Sequence, residues 1–591
     1  MCGISGIINL ESFNHSSDKK IRTMIKTLKH RGPDDTGFFS DKRASLGFAR
    51  LSIIDLSKKG HQPMTNEDET IWIIFNGEIF NYQSIREKLD KKHKFKSKTD
   101  TEVIIHGYEQ WGEKILDKLE GMFGLAIYDK KNDKIIIARD RIGKKPLFYY
   151  KNKEQLIFSS EFRSIIKIIP KQDIKLDETT LKLWNGFPYL ADNENTLEKN
   201  IKKIPPGHYL IYEKKDIKLK KYWDLKVNKR INNLSLNDAT NELEKLLEES
   251  VANRLIADVP VGILLSGGLD SSLISALAKK RKDNITTLTA SFDDVIDESS
   301  YAKIVSDHLK TKQLFLKVSP GNVSRDIEKL IWMFDDLSTC DGGLITTYFL
   351  AQEIRKTGIK VALVGEGSDE IFAGYSWFGL GVKPLSILPD TIKNMAYYWI
   401  IMRSLKPKFY FDYAKILKKH MNEQKDLTYL QKINYNEIKY SLPNHYCMKV
   451  DKGTSAASIE ARTPYLDYKV VEFAYSLPDK YKLAGNYFDR KKTNEKFILR
   501  KIADKYLPRE ISQRKKKGGM LPIDKILLDG NEKIKEYLLA RDGIALKLFS
   551  KKELENVLRP KKFILTRWER EWIIWRLFML SVWYKKTFKG L

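Results

Sequence analysis

The 591-residue sequence predicts an α+β half followed by an α/β half with a mainly parallel sheet. Two observations predict the second half. Helical segments alternate with short apolar strands at 285–292, 312–317 and 359–364, and the apolar run 259–265 is followed by a glycine turn and a helical pattern over 271–280. A third observation marks the first half. There the strands 47–55, 71–75, 121–128 and 134–140 follow one another around a helix capped at Thr99-Asp100-Thr101-Glu102, in capping-box spacing.

Composition narrows the function classes. No apolar run approaches the roughly 18 residues of a membrane span. The apolar stretch 572–584 is short, contains Arg576, and reads as a buried helix. No basic-then-apolar leader opens the chain. Three cysteines (Cys2, Cys340, Cys447) without a C-x-x-C pair suggest a reducing, cytoplasmic setting and neither a disulfide nor a zinc framework. The net charge of +28 includes basic clusters at 91–98, 279–282, 514–517 and 559–562, yet lysines run along the whole chain. With no helix-turn-helix, zinc finger or RNA-binding sheet signature, solvated lysine faces explain the charge better than nucleic acid does.

At the amino end, Met1-Cys2-Gly3 places a small residue second, a context in which the initiator methionine is normally removed. Cys2 would then carry both a thiol and a free α-amine of pKa about 7.7–8.0, a nucleophile and its base on one residue. Arg31-Gly-Pro-Asp-Asp-Thr-Gly37 is a turn-rich loop, and Arg50 lies within an alternating strand. After the strand 71–75, Asn76-Gly77 offers a side-chain amide and a backbone N–H together, the two donors an oxyanion hole needs.

This ordered set resembles the glutaminase domain of class II glutamine amidotransferases, N-terminal-nucleophile hydrolases with an αββα sandwich, over residues 2–213. The resemblance implies that Cys2 attacks the glutamine amide and that Asn76 and Gly77 hold the oxyanion. Arg50 would grip the α-carboxylate, while Glu78 and Asp100 take the ammonium.

In the other half, Ser266-Gly267-Gly268-Leu269-Asp270-Ser271 sits between strand and helix, where free backbone N–H groups and the helix dipole suit a phosphate. It resembles the pyrophosphate loop of ATP pyrophosphatases and lacks the Gly-Lys-Ser/Thr ending of a Walker loop. Val364-Gly365-Glu366-Gly367-Ser368-Asp369-Glu370 follows another strand end and gathers carboxylates that need a cation or a donor among them. Together with 457–467, 492–500 and 514–518, these strings resemble the synthetase domain of the glutamine-hydrolysing asparagine synthetases, over 237–591 after a linker at 214–236.

The resemblance implies adenylation of the aspartate side chain by ATP and displacement of AMP by ammonia delivered through an internal tunnel of small and apolar side chains. It puts ATP at Leu265, Ser266, Gly267, Gly268, Asp270, Ser271, Ser272, Ala290, Val364 and Gly365, and Mg²⁺ at Asp270 and Asp369. Glu366 would face the acyl-adenylate and Lys516 the phosphates. Glutamine, aspartate and ATP are the expected partners, a homodimer is compatible with the family, and neither membrane nor nucleic acid is expected. Three departures bear on the acceptor: Val364 where a serine is usual, the string 335–343, and the string 514–522. An amidotransferase acting on a sugar acid or peptide carboxylate is the alternative, with a basic nucleic-acid-binding protein more remote.

Overall fold

The computed structural model describes residues 1–11, 17–186, 192–292, 299–319, 323–381, 385–401, 407–424, 426–485, 494–515, 531–559 and 567–589. Its amino-terminal part is the expected sandwich. One antiparallel sheet of six strands runs in the order Ile201–Lys203, Phe148–Lys151, Gln155–Ser159, Gly3–Asn9, Ala44–Arg50, Asp35–Ser40. The other runs Asp216–Lys221, His208–Glu213, Lys134–Arg139, Gly121–Asp129, Ile71–Ile79, Met64–Thr65.

Strand alternation explains the layers. Ile4, Ile8, Phe48 and Phe158 of the first sheet meet Ile74, Ile137 and Leu210 of the second in one buried cluster. On the outside, Ile73 and Phe75 pack on Val103 and Ile104 of the helix Asp100–Trp111. Ile7 packs on Ile21 and Met24 of the helix Asp18–Leu28.

The strand Asp216–Lys221 pairs with His208–Glu213 inside the segment 214–236 that reads as linker, so the second sheet continues beyond residue 213. The helix Leu236–Arg254 then opens the next part.

That part holds a five-stranded parallel sheet, ordered Lys312–Val318, Thr286–Phe292, Val261–Leu264, Val361–Leu363, Glu460–Arg462. The strand Glu460–Arg462 carries two charges in three residues, which hid it from the apolar pattern. From the central strand Val261–Leu264 the chain builds outward on one side, then returns to build on the other. The crevice at the carboxyl end of this strand is therefore a topological switch point, where α/β sheets bind ligands. The loops after Leu264 and Leu363 both open there.

The two parts share buried surface. Phe148, Phe162 and Trp184 cluster with Phe334, Trp575 and Phe578, the last two from the helix Arg567–Tyr584. Among the described residues no helix is long and apolar enough to cross a membrane.

Candidate functional site

Cys2 lies just before the strand Gly3–Asn9, whose register pairs Gly3 with Ala49 and so sets the thiol beside Arg50 and Leu51. The Leu51 N–H stands 3.5 Å from Cys2 Sγ. Burial pushes the thiol pKa up. Arg50 ends the strand Ala44–Arg50 instead of lying inside a longer one, and its guanidinium donates to the carbonyls of Ser57 (2.9 Å) and Asp55 (2.5 Å).

Asn76, Gly77 and Glu78 belong to the strand Ile71–Ile79, four residues longer than the run 71–75 that its apolar residues mark. The Asn-Gly step is therefore pleated strand, paired Asn76 to Gly124 and Gly77 to Phe123, and not a turn. This places Asn76 and Glu78 on one face. A Cβ at Gly77 would lie 2.0 Å from the Met122 carbonyl oxygen, so glycine is required. Asn76 Oδ1 and Glu78 Oε1 are buried without a hydrogen-bond partner. Asn76 Nδ2 is 3.5 Å from Ser160 Oγ, which also accepts from the Ile4 N–H at 3.1 Å.

Glu78 Oε2 accepts from Arg462 Nη2 at 2.8 Å, an ion pair reaching into the other part of the molecule. Burial nevertheless holds Glu78 well above the usual carboxylate range, against the pull of Arg462. Asp100 accepts from the Ile79 N–H at 2.8 Å, and burial raises it to about 7. Two buried carboxylates on one side of Arg462 leave the pocket short of positive charge.

Thr99 caps the helix as expected, accepting from the Glu102 N–H, but the box is only half made. The Glu102 carboxylate instead accepts from the Lys96 and Ser97 N–H groups, at 2.7 Å each.

At the other end, the helix Leu269–Arg281 starts two residues earlier than its apolar pattern suggests, and its N-cap Gly268 makes no side-chain cap hydrogen bond. Gly267 has φ +71°, and a Cβ there would press on Tyr301 and the Ala302 nitrogen. Arg514 Nη1 donates to the Gly267 carbonyl at 3.0 Å and its guanidinium covers the Tyr301 ring. Ser266 and Ser271 hydroxyls meet at 3.1 Å across the turn, and Ser272 is fully buried on the following helix. Ala290 lies two residues past Leu288, the register partner of Leu264, at the same end of the sheet.

The second loop approaches closely. A Cβ on Gly365 would stand 3.2 Å from Asp270 Cβ, Val364 donates its N–H to the Arg462 carbonyl, and Gly367 adopts φ +95°. Three side chains relieve its carboxylate crowding only in part, since burial and the neighbouring Asp369 and Glu366 still push Glu370 up to about 8. Lys449 Nζ pairs with Glu366 at 2.8 Å, Tyr375 donates to Glu370, and Lys496 Nζ bridges Asp270 Oδ2 (2.6 Å) and Asp369 Oδ1 (2.7 Å). Lys496 is buried at φ +54°, a left-handed conformation costly for a side-chain-bearing residue, which the two acids hold in place. Both aspartates thus aim oxygens at one cation position, and an all-oxygen set there suits a hard divalent ion beside phosphate.

One cavity touches both ends. Met1, next to Cys2, and Glu366, on the second loop, both line it, as do Met122, Cys447, Val450 and Ala461. Lys144, Lys145 and Asp451 also line it, yet the surface turned toward it is almost entirely apolar. Met1 itself is buried, and burial lowers its amine pKa to about 5.

Of the expected residues, Cys2, Arg50, Asn76, Gly77, Glu78 and Asp100 gather at one end. Those of 265–272, Ala290, Val364, Gly365, Glu366 and Asp369 gather at the other; Lys516 lies outside the described residues. Sequence reasoning missed the roles of Arg31, Lys449, Arg462 and Lys496. Arg31 is fully buried and joins the Cys2 carbonyl (3.0 Å), Glu161 (3.2 Å) and Asp451 (2.8 Å). The departing segment 335–343 divides. Asp335 accepts the N–H groups of Phe162 and Arg163 at 2.9 Å and Asp336 pairs with Lys452, while Asp341, on the Glu366 side, is held low by Lys449 against the upward push of burial.

A glutamine amidotransferase domain family matches residues 1–223, and the asparagine synthase family matches residues 242–585. The chain belongs to the asparagine synthase family. It is similar to glutamine-hydrolyzing asparagine synthetase 1 of Bacillus subtilis (strain 168), 32% identical over 566 residues, with 88% of this chain and 87% of that protein covered. Against asparagine synthetase B of Escherichia coli (strain K12) the identity is 29% over 533 residues, covering 87% and 81%. A putative asparagine synthetase 2 of Methanocaldococcus jannaschii is 36% identical over 403 residues, covering 64% and 76%. Within this family setting, the two matched regions coincide with the two ends bridged by the cavity.

Proposed function

We propose that this chain makes asparagine from aspartate, ATP and glutamine, with residues 2–213 acting as glutaminase and 237–591 as synthetase. The cavity lined by both Met1 and Glu366 carries the reading, because it gives two chemistries a shared interior. Removal of Met1 frees the Cys2 amine, which takes the thiol proton as sulfur attacks the glutamine amide carbon. Asn76 Nδ2 and the Gly77 N–H stabilise the oxyanion, ammonia leaves, and water releases glutamate from the thioester. Arg50 binds the substrate carboxylate, and the α-ammonium supplies the positive charge that Glu78 and Asp100 lack.

In the synthetase half, the 265–272 turn receives ATP phosphates on backbone N–H groups, with Ala290, Val364 and Gly365 around the nucleoside. The aspartate β-carboxylate attacks the α-phosphorus and pyrophosphate leaves. Ammonia then attacks the acyl carbon, AMP leaves, and Glu366 accepts the proton shed by nitrogen. Asp270 and Asp369 would hold Mg²⁺, which when bound offsets phosphate charge; Lys516 would face the same phosphates. Keeping ammonia inside protects it from protonation and the adenylate from water.

The test supplies amide-¹⁵N glutamine, ATP, Mg²⁺ and aspartate, then measures AMP, pyrophosphate and the labelled product by mass spectrometry. Aspartate-stimulated AMP release with ¹⁵N in asparagine is expected. AMP release driven only by another carboxylate would overturn the acceptor assignment.

A further inference from the structure

On the outer side of the second sheet, where the helix Asp100–Trp111 packs, Glu67, His93, His106 and Glu109 bring their ligand atoms within 4.8 Å of one another. They come from separate segments: Glu67 from the turn before Ile71–Ile79, His93 from the loop after the helix Tyr82–Leu89, and His106 and Glu109 from one face of Asp100–Trp111. Glu109 Oε2 lies 2.8 Å from His106 Nδ1 and 3.4 Å from His93 Nδ1, and Glu67 Oε2 lies 3.8 Å from His106 Nδ1. Four ligands around a tetrahedral ion at its usual bond lengths stand about 3.3 Å apart, so these spacings need only small side-chain adjustments.

The surroundings are those of a supported site. The two imidazoles stack with centroids 4.8 Å apart, and the Phe95 ring edge closes on His106 at 4.7 Å. The side chain of His106 is only 2% exposed. Its Nε2, buried without a hydrogen-bond partner, faces Glu102 Oε1 at 3.8 Å. A carboxylate behind the distal nitrogen is the arrangement that orients a metal-binding histidine and strengthens it as a donor. Asn66 Nδ2 holds Glu109 Oε1 at 2.9 Å in the same supporting way.

We propose that Glu67, His93, His106 and Glu109 form a binding site for a first-row divalent transition metal, with Zn²⁺ the best fit to two imidazoles and two carboxylates. The ion would clip the 91–98 loop and the 66–69 turn to the helix that begins at Asp100. It is a structural site, separate from the nucleotide end and independent of the cysteines.

The test uses the full chain carrying Cys2→Ala, to remove the reactive thiol. The protein is stripped with EDTA, loaded with Zn²⁺, freed of excess by gel filtration and analysed by inductively coupled plasma mass spectrometry. One zinc per chain is expected, with a raised thermal midpoint. His93→Ala and Glu109→Gln should each lower retention at least tenfold, whereas Asp270→Asn should keep it. Co²⁺ in place of zinc should give the intense visible bands of a four-coordinate nitrogen–oxygen site without thiolate charge transfer. No retained zinc in the parent chain, equal retention in the His93 and Glu109 variants, or a thiolate signature would each overturn the assignment. The cobalt spectrum of the parent chain decides the case even where a variant fails to fold.

Discussion

The two ends of the cavity each hold carboxylate that burial pushes up, Glu78 and Asp100 at one and Glu370, to about 8, at the other, but they differ in where their cations sit. At the glutaminase end, Glu78 and Asp100 share Arg462 with Glu460, and both are pushed upward in pKa because burial outweighs the available positive charge. At the nucleotide end, Glu366 has Lys449, and Asp270 and Asp369 share Lys496. On the proposed reading a cationic ligand would complete the first pocket, while in the second a metal would have to compete with Lys496. A site short of cations would bind an ammonium directly; a site already filled by one would need phosphate to bring enough negative charge for two.

The largest expected effect separates the ends outright. Cys2→Ala should abolish glutamine-dependent synthesis while synthesis from added ammonium continues, measured as AMP and asparagine formed with each nitrogen source. Loss of both would mean that the ends are not independent. Asp270→Asn should do the reverse, removing ATP-driven product while basal glutamine hydrolysis remains, because it halves the acid pair facing Lys496. Synthesis persisting in that variant would show the pair is not where the metal is held.

A third substitution strikes the seam between the ends. Arg462 is fully buried and ion-paired with Glu78 and Glu460 at 2.8 Å each. Arg462→Met leaves two carboxylates buried without their cation, a change that costs about 3–5 kcal/mol when a buried pair is broken. A marked fall in thermal midpoint is expected, together with weaker glutamine binding, since losing the guanidinium pushes the Glu78 pKa up further. An unchanged midpoint would mean that Glu78 relaxes to another partner.

Arg462 also shows where the sequence stops being legible. Local strings carried the acids and the turns: Asn76-Gly77-Glu78, 266–271 and 364–370 each lie within a few residues, so their chemistry reads in one dimension. Their counter-charges arrive from 384 residues away for Glu78 and 226 for Asp270. Nothing local distinguishes Lys496 from a solvated lysine until the parallel sheet brings its helix against the switch point. The strand Glu460–Arg462 was obscured for the same reason, because its charges are paired only in three dimensions. Strand ends failed differently: Asn76 to Ile79 lack an unbroken apolar run, yet sheet pairing with Gly121 to Gly124 holds them extended.

The finest test of the contrast is its pH dependence. Asp100 sits at about 7 in the folded chain, against about 3.9 when unfolded. Its folded pKa is raised, so its contribution to stability is complete below the unfolded value and is lost as pH rises through about 7. Glutamine reverses the sign. Its ammonium favours the ionised carboxylate, so binding strengthens as Asp100 gives up its proton, by ~tenfold per pH unit below about 7 for a single group. The Cys2→Ala chain, which binds without turnover, should therefore show a thermal shift with glutamine that grows between roughly pH 5 and 7 and then levels. Asp100→Asn should flatten that profile while retaining the fold, because an amide oxygen still accepts from the Ile79 N–H. ATP-induced stabilisation should lack this rise in both chains, since Asp100 does not face the nucleotide. If the glutamine profile is flat in the parent, or unaltered by Asp100→Asn, the charge-deficient pocket is not what recognises the ammonium.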